Sequence, residues 1–321
     1  MSGFTTQTVD HLTRTTLFSN EIKEQLREEL MGMRYVRMMN EFADGSGGTM
    51  NIPSLGQMEA LDYVEGNAVK YNALDTGNFT FTTDQYKQAG TYMTNKFKQD
   101  SWKSAMLMSR FVPEMTRALM VQIENKVMSV GPAGQTASNS NTINDGKHRM
   151  VGSGTNEQMT IEDFHRARYA LRKASVPMRN LVAIVDPSVA HMLSTQANIV
   201  NLITPTPRWS DLVTSSISDG MQFRFSLAGF DVYESQYLKT NTTSETIDSV
   251  AAAAGVNNLF FSADSSVLPF IGRIDQEPKL DYEYNKDLQR DEWVMTCRYG
   301  FALYRPENLV VILTDTDQIY V

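Results

Sequence analysis

A mixed α+β architecture is predicted by three features of the 321-residue sequence. Ala105, Met108, Val112, Met115, Leu119, Ile123 and Val127 recur every three or four residues, the stripe of one amphipathic helix. FTFTT at 79–83, KLDYEY at 279–284 and EWVMTCRYGFALY at 292–304 alternate apolar and polar residues, as half-buried strands do. LVAIVD at 181–186 has the unbroken apolar run of a buried strand, and Pro187 opens a short helix after it.

The elements follow in order. Residues 1–19 are polar and Thr-rich and predict a flexible arm. Ser19 and Asn20 can cap a helix starting near Glu21, whose stripe Ile22, Leu26, Leu30, Met33, Val36 and Met39 ends near Phe42. DGSGG at 44–48 stops it. Extended pieces at 49–53 and 60–65, a polar gap and FTFTT make a long hairpin. Such a two-stranded ribbon is barely stable alone in water and needs a surface to lie on. The helix over 100–129 spans about 45 Å, and Pro113 inside it predicts a kink or the junction of two helices.

Residues 131–158, rich in Gly, Ser, Asn and Thr, read as a surface loop or a weakly ordered excursion. Thr160 with Asp163 forms a capping-box pattern for a helix to about Ala174. FRFSLAGFDVYESQYL at 223–238 reads as two strands around a turn at Gly229, and LFFSA (259–263) and VLPFIGR (267–273) as further strands. KLDYEY, the turn NKDLQRD, and a long strand bent at Gly300 follow; after Pro306, LVVIL at 309–313 returns as a strand.

Composition removes several function classes. The net charge is −8, which disfavours tight non-specific nucleic-acid binding. Cys297 is the single cysteine, so no intramolecular disulfide or multi-cysteine zinc site can form, in keeping with folding in a reducing cytoplasm. The N-terminal stretch lacks the apolar core of a signal peptide, and the longest apolar runs are too short to span a bilayer, so no membrane contact is expected. Nineteen methionines suit an adaptable core, or surfaces that repack against neighbours.

No catalytic, cofactor or metal motif stands out. GxGxxG, GxxxxGK[ST], HExxH, GxSxG and the EF-hand pattern are all missing. His11, His148, His165 and His191 do not pair at metal-ligand spacing. Cys297 reads as a buried inert thiol, Asp315 and Asp317 as a solvated turn, and RARYALRK at 166–173 as the solvated face of a helix. No catalytic residue, cofactor or metal is therefore assigned.

The order of elements is more informative than any motif. VPMRNLVAIVDPSVAHMLST (176–195), SLAGFDVYESQYL (226–238) and RYGFALYRPENLVVIL (298–313), in this order and spacing, resemble the major capsid proteins of tailed bacteriophages, the Hong Kong 97 type fold shared with encapsulins. The resemblance covers about residues 49–315. It implies an N-terminal arm and helix at 1–53 and an E-loop β-ribbon at 54–98. A discontinuous peripheral domain with a long spine helix would take 99–178 and 276–321, and an axial α/β domain 179–275.

The implied function is a major capsid protein whose hexamers and pentamers close into an icosahedral shell around double-stranded phage DNA, with the virion as its location and the host cytoplasm as its place of assembly. The alternative is an encapsulin-like shell storing cargo enzymes. Neither is an enzyme. Inter-subunit contacts are expected on the ribbon at Leu61, Tyr63, Val64, Phe79, Phe81, Tyr86 and Tyr92. Further implied partners are a separate scaffolding protein, since fewer than 50 residues precede the ribbon, a portal at one vertex, a decoration protein, and packaged DNA through weak contacts. Some relatives join subunits by a Lys–Asn isopeptide bond. Lys70 and Lys87 fall in the ribbon segment, but no pattern sets an Asn and a Glu against either, so no such bond is expected.

Overall fold

The computed structural model describes residues 31–39, 49–55, 62, 65, 76–100, 104–135, 141–195, 223–252 and 254–315. The chain enters through a 3-10 turn, Gly32–Tyr35, and strand β1, Val36–Met38. The helix predicted to run to Phe42 is therefore absent over 32–38; its earlier part lies outside the described residues, as does the arm. Tertiary partners replace the helical bonds. The Gly32 N–H donates to both oxygens of the Glu124 carboxylate, each at 3.1 Å, and Val36–Met38 pair in parallel with Phe270–Gly272.

Strands β2 (Thr49–Leu55) and β3 (Thr76–Thr82) pair antiparallel along their whole length and with no other described strand. The ribbon is thus as expected, but it ends at Thr82. Strand β4, Gln85–Thr94, joins a different sheet, so residues 85–94 do not belong to the ribbon as the span 54–98 supposed. Of the second extended piece only Asp62 and Glu65 are described, and both are exposed.

Helix α1, Asn95–Asp100, precedes α2, Ser104–Gly134. The 31-residue α2 continues through Pro113 rather than breaking there. Pro113 lies on the exposed side, where water can take the carbonyl that the missing N–H leaves unpaired. Val112, Met115, Leu119, Ile123 and Val127 are buried, as the stripe requires.

The predicted loop over 131–158 holds structure. Strands β5 (Thr142–Ile143) and β6 (Gly146–Lys147) form a small hairpin. Strand β7, Arg149–Val151, is drawn into a sheet by a later strand. Helix α3, Ile161–Lys173, starts as its pattern predicts: the Thr160 N–H donates to the Asp163 carboxylate at 2.9 Å.

Strand β8 (Leu181–Val185) leads into helix α4 (Pro187–Thr195), then β9 (Phe223–Leu227) and β10 (Phe230–Glu234). Ala228 and Gly229 turn between the last two at φ 51° and 88°, the left-handed pair that suits a tight hairpin. Short strands β11 (Thr240–Asn241), β12 (Glu245–Ile247) and β13 (Val250–Ala252) lead to β14, Gly255–Ser262. Strands β15 (Phe270–Asn285), β16 (Arg290–Leu303) and β17 (Val310–Asp315) complete the chain. The two strands expected at 267–273 and 279–284 are one long β15. It passes Pro278 by shifting register between Gln276 and Lys279, so the residue without an N–H stands outside the ladder.

Two sheets result. The smaller has the order β1–β15–β16–β4, with β4 at an edge; the larger runs β7–β17–β14–β8–β10–β9. Successive residues of β8 and β14 alternate between two cores. Val182, Ile184, Leu259 and Phe261 join α2 and the inner face of the smaller sheet, including Met295, Cys297 and Tyr299. Leu181, Ala183, Val185 and Phe260 join α3 and α4 on the opposite face. There Phe164, Phe230 and Phe260 meet edge to face, the closest pair 5.1 Å between centroids. Burial on both faces explains why LVAIV is apolar throughout.

This packing regroups the expected domains. Helix α3 and strand β17, assigned to a peripheral domain, cover and extend the larger sheet with the 181–262 strands. Asp315, expected in a solvated turn, is a buried strand end paired with Gly255.

Cys297 faces α2, and burial pushes its thiol up to about 11. The native protein should therefore resist a disulfide reagent at pH 8 and release one thiol equivalent in guanidinium chloride. Fast reaction of the native protein would place the side chain outside the core.

Candidate assembly surface

Cross-strand pairs Met50–Phe81 and Ile52–Phe79 place four apolar side chains on one face of the ribbon, and Thr49, Asn51, Thr80 and Thr82 on the other. Burial on the apolar face is graded. Phe81 is 2% exposed, while Met50, Ile52 and Phe79 are half-buried. The Phe79 ring stands edge-on to Tyr304, centroids 5.3 Å apart. Sequence reasoning placed Phe81 in a contact with a neighbouring subunit. The structure covers its ring within its own chain, leaving a neighbour almost nothing to bury.

Thr83 marks the foot of the ribbon. Its hydroxyl donates to Asp275 at 2.7 Å, and Asp275 is paired with Arg273 at 2.5 Å and Arg298 at 3.5 Å. Gly300 passes directly beneath: a Cβ there would lie 2.8 Å from both the Thr82 carbonyl oxygen and the Thr83 Cα. The bend predicted at Gly300 is thus a close crossing of two backbones. Gly300→Ala should displace the foot and lower subunit stability by about 1–3 kcal/mol. A melt indistinguishable from the unsubstituted protein would show that the crossing has slack.

Strand β4 carries the next pair of expected contact residues. Tyr86 and Tyr92 are 59% and 58% exposed, on the face away from α2, and no described strand pairs with the outer edge of β4. The Arg290 guanidinium lies 4.4 Å from the centre of the Tyr92 ring. Phe97, Tyr284 and Leu288 are also exposed. Helix α1 and the β15–β16 turn bring these three to one end of the sheet, where the Asn95 N–H donates to the Gln289 carbonyl at 3.0 Å. Lys98 pairs with Asp291 there, and the Asn95 side-chain amide donates to the Tyr284 hydroxyl at 2.7 Å. These three were missed by sequence reasoning; Leu288, an apolar residue in the polar turn NKDLQRD, was the available signal. Leu61, Tyr63 and Val64 lie outside the described residues.

His148 is buried, its ring nitrogens against the carbonyls of Gly146 and Glu307 at 3.0 and 3.1 Å, and burial lowers its pKa. His165 and His191 are exposed. The RARYALRK face is partly engaged: Arg166 pairs with Asp163 at 2.9 Å and Arg168 donates to the Ala228 carbonyl at 2.8 Å. Among the described residues no three His, Cys, Asp or Glu side chains are grouped to hold a metal, and no helix is long and apolar enough to cross a membrane.

Among the described residues the surface thus carries a two-stranded ribbon paired with no other strand and an exposed aromatic sheet edge. The family model described as phage capsid protein matches residues 77–312, and the chain belongs to that family. No curated protein sequence matches it. Among solved structures it is similar to the capsid of cyanophage Pam1 (TM-score 0.64, 13% identity, 88% of this chain and 89% of that one). It is also similar to Mycobacterium phage Che8 (0.62, 15%, 88% and 91%) and, less closely, to a virus-like particle from Pyrococcus furiosus (0.52, 9%, 93% and 99%). The fold is the tailed-phage major capsid fold of the Hong Kong 97 type.

Proposed function

We propose that the protein is a major capsid protein that assembles as hexamers and pentamers into an icosahedral shell around double-stranded phage DNA. The observation that carries this is the β2–β3 ribbon, two strands paired only with each other among the described residues, whose apolar face its own chain covers only in part. Isolated two-stranded ribbons are marginal in water, so a neighbouring copy is the natural surface for this one. Closed symmetry repeats that contact around the shell. Tyr86 and Tyr92, on an open sheet edge, are the contacts we assign beside Phe79.

The net charge of −8 lets DNA slide past the wall rather than bind it. The partners of such a shell are a separate scaffolding protein during assembly in the host cytoplasm, a portal at one vertex and a decoration protein. Particles purified from a producing host should protect double-stranded DNA from nuclease. Particles free of DNA and filled with one enzyme species would contradict this reading and favour a storage shell.

A further inference from the structure

Strand β4, helix α2 and the chain after β10 bound a cleft of about 390 Å³. The pairs Gln85–Tyr299 and Lys87–Cys297 turn Gln85 and Lys87 toward α2. Gln122, Asn125 and Lys126 line it from the helix, and Lys239 from the segment beyond β10. Three lysines thus converge on a chain with a net charge of −8. Lys126 is held by Asp84 at 3.5 Å, and the Gln85 amide donates to the same carboxylate oxygen at 2.7 Å. Among the described residues Lys87 and Lys239 have no carboxylate partner, so their ammonium charges stand uncompensated.

A second observation points to a ligand. Tyr299 belongs to the cleft's lining, is 1% exposed, and its hydroxyl has no hydrogen-bond partner among the described residues. Burial pushes its pKa up to about 12, so the phenol stays protonated, a donor lacking an acceptor. Buried polar groups are almost always met in native proteins, and an unmet one calls for an acceptor from elsewhere. The surrounding lysines favour an anionic acceptor, and the amides of Gln122 and Asn125 add donors. A carboxylate would bring a single charge. A phosphate group brings about two charges at pH 7 and several strong acceptor oxygens, which matches two uncompensated ammonium groups, a phenol and two amides. The cleft is at the low end of the volumes that small-molecule sites enclose, so it has room for a small group esterified to the phosphate.

We propose that this cleft binds a phosphate group, as inorganic phosphate or as the monoester of a small molecule, with Lys87 and Lys239 supplying charge and the Tyr299 hydroxyl one hydrogen bond. The bound anion ties α2 to β4 and to the segment beyond β10. Isothermal titration calorimetry of the purified protein with inorganic phosphate, at an ionic strength held constant with chloride, should show one saturable site per chain. Lys87→Gln combined with Lys239→Gln should weaken binding about tenfold or more. Lys239 is exposed, so Lys239→Gln alone keeps the fold and should weaken binding about threefold.

Tyr299→Phe should also weaken binding about threefold or more. Its melt without phosphate should match or exceed that of the unsubstituted protein, because the change removes an unmet donor. Phenyl phosphate, titrated in parallel, separates the two sources. Tighter binding than inorganic phosphate assigns the site to a monoester, and binding no tighter assigns it to the free ion. No saturable binding of either probe would overturn the proposal, as would an affinity that the paired lysine changes or Tyr299→Phe leave unaltered.

Discussion

Phe81→Asp is expected to unfold the isolated subunit, or to lower its melting point far more than any other single change on the ribbon. The ring is 2% exposed. Truncating a buried Phe costs about 3–5 kcal/mol, and a carboxylate left in its place adds the penalty of a buried, unpaired charge. Domain stabilities are about 5–15 kcal/mol in total, so the loss is a large share of the whole. Phe79→Asp should behave oppositely. That ring is half-buried, and its edge contact with Tyr304 is worth about 0.5–1.5 kcal/mol beyond area. Its subunit should remain folded and fail in assembly. Thermal melts of the two subunits, with sedimentation of each, separate these outcomes. A Phe81→Asp subunit that melts normally would mean the ribbon's foot is not part of the subunit's own packing.

The second large effect is a pH dependence centred on Glu124. Its side chain is buried on α2 beneath Gly32, and burial raises its pKa from 4.5 to about 7, the Gly32 N–H opposing the shift. Between these values the native state holds a proton that the unfolded chain releases. Stability from this group is therefore full below pH 4.5, falls as pH rises, and is lost above about 7. The range corresponds to about 3 kcal/mol. Glu124→Gln keeps an acceptor for the Gly32 N–H and cannot ionise, so its stability should change less over pH 4.5–7 than that of the unsubstituted protein. Chemical denaturation at several pH values tests this; superimposable profiles would show that Glu124 does not titrate in that window.

Much of the fold was legible where one local pattern decided the structure. The apolar run of β8, the stripe of α2, the Thr160–Asp163 cap and the paired strands of the ribbon each needed only near neighbours or one partner. The failures share a cause in distant partners. Val36 and Met39 fit a helical stripe, yet Val36 lies in a strand because β15 offers it a ladder. Arg149–Val151 looked like loop until β17 paired with it. Residues 267–273 and 279–284 read as two strands, but a register shift carries one strand past Pro278. On the assembly surface, Tyr86 and Tyr92 were expected as contacts because the resemblance placed them on the ribbon; they are exposed, but on the edge strand β4 instead. Phe81 follows the same alternation as Phe79, and only the crossing at Gly300 and the packing beneath the ribbon distinguish them. Phe97, Leu288 and Tyr284 come to the same end of the sheet from a helix, a turn and a strand far apart in sequence, which no local pattern encodes.

The most direct test of the assembly reading is negative-stain electron microscopy of the purified protein, with sedimentation velocity on the same sample and with a scaffolding protein supplied if the chain alone stays dispersed. Closed shells, or hexamers and tubes built from them, are the expected result. A strict monomer at high concentration under both conditions would contradict it.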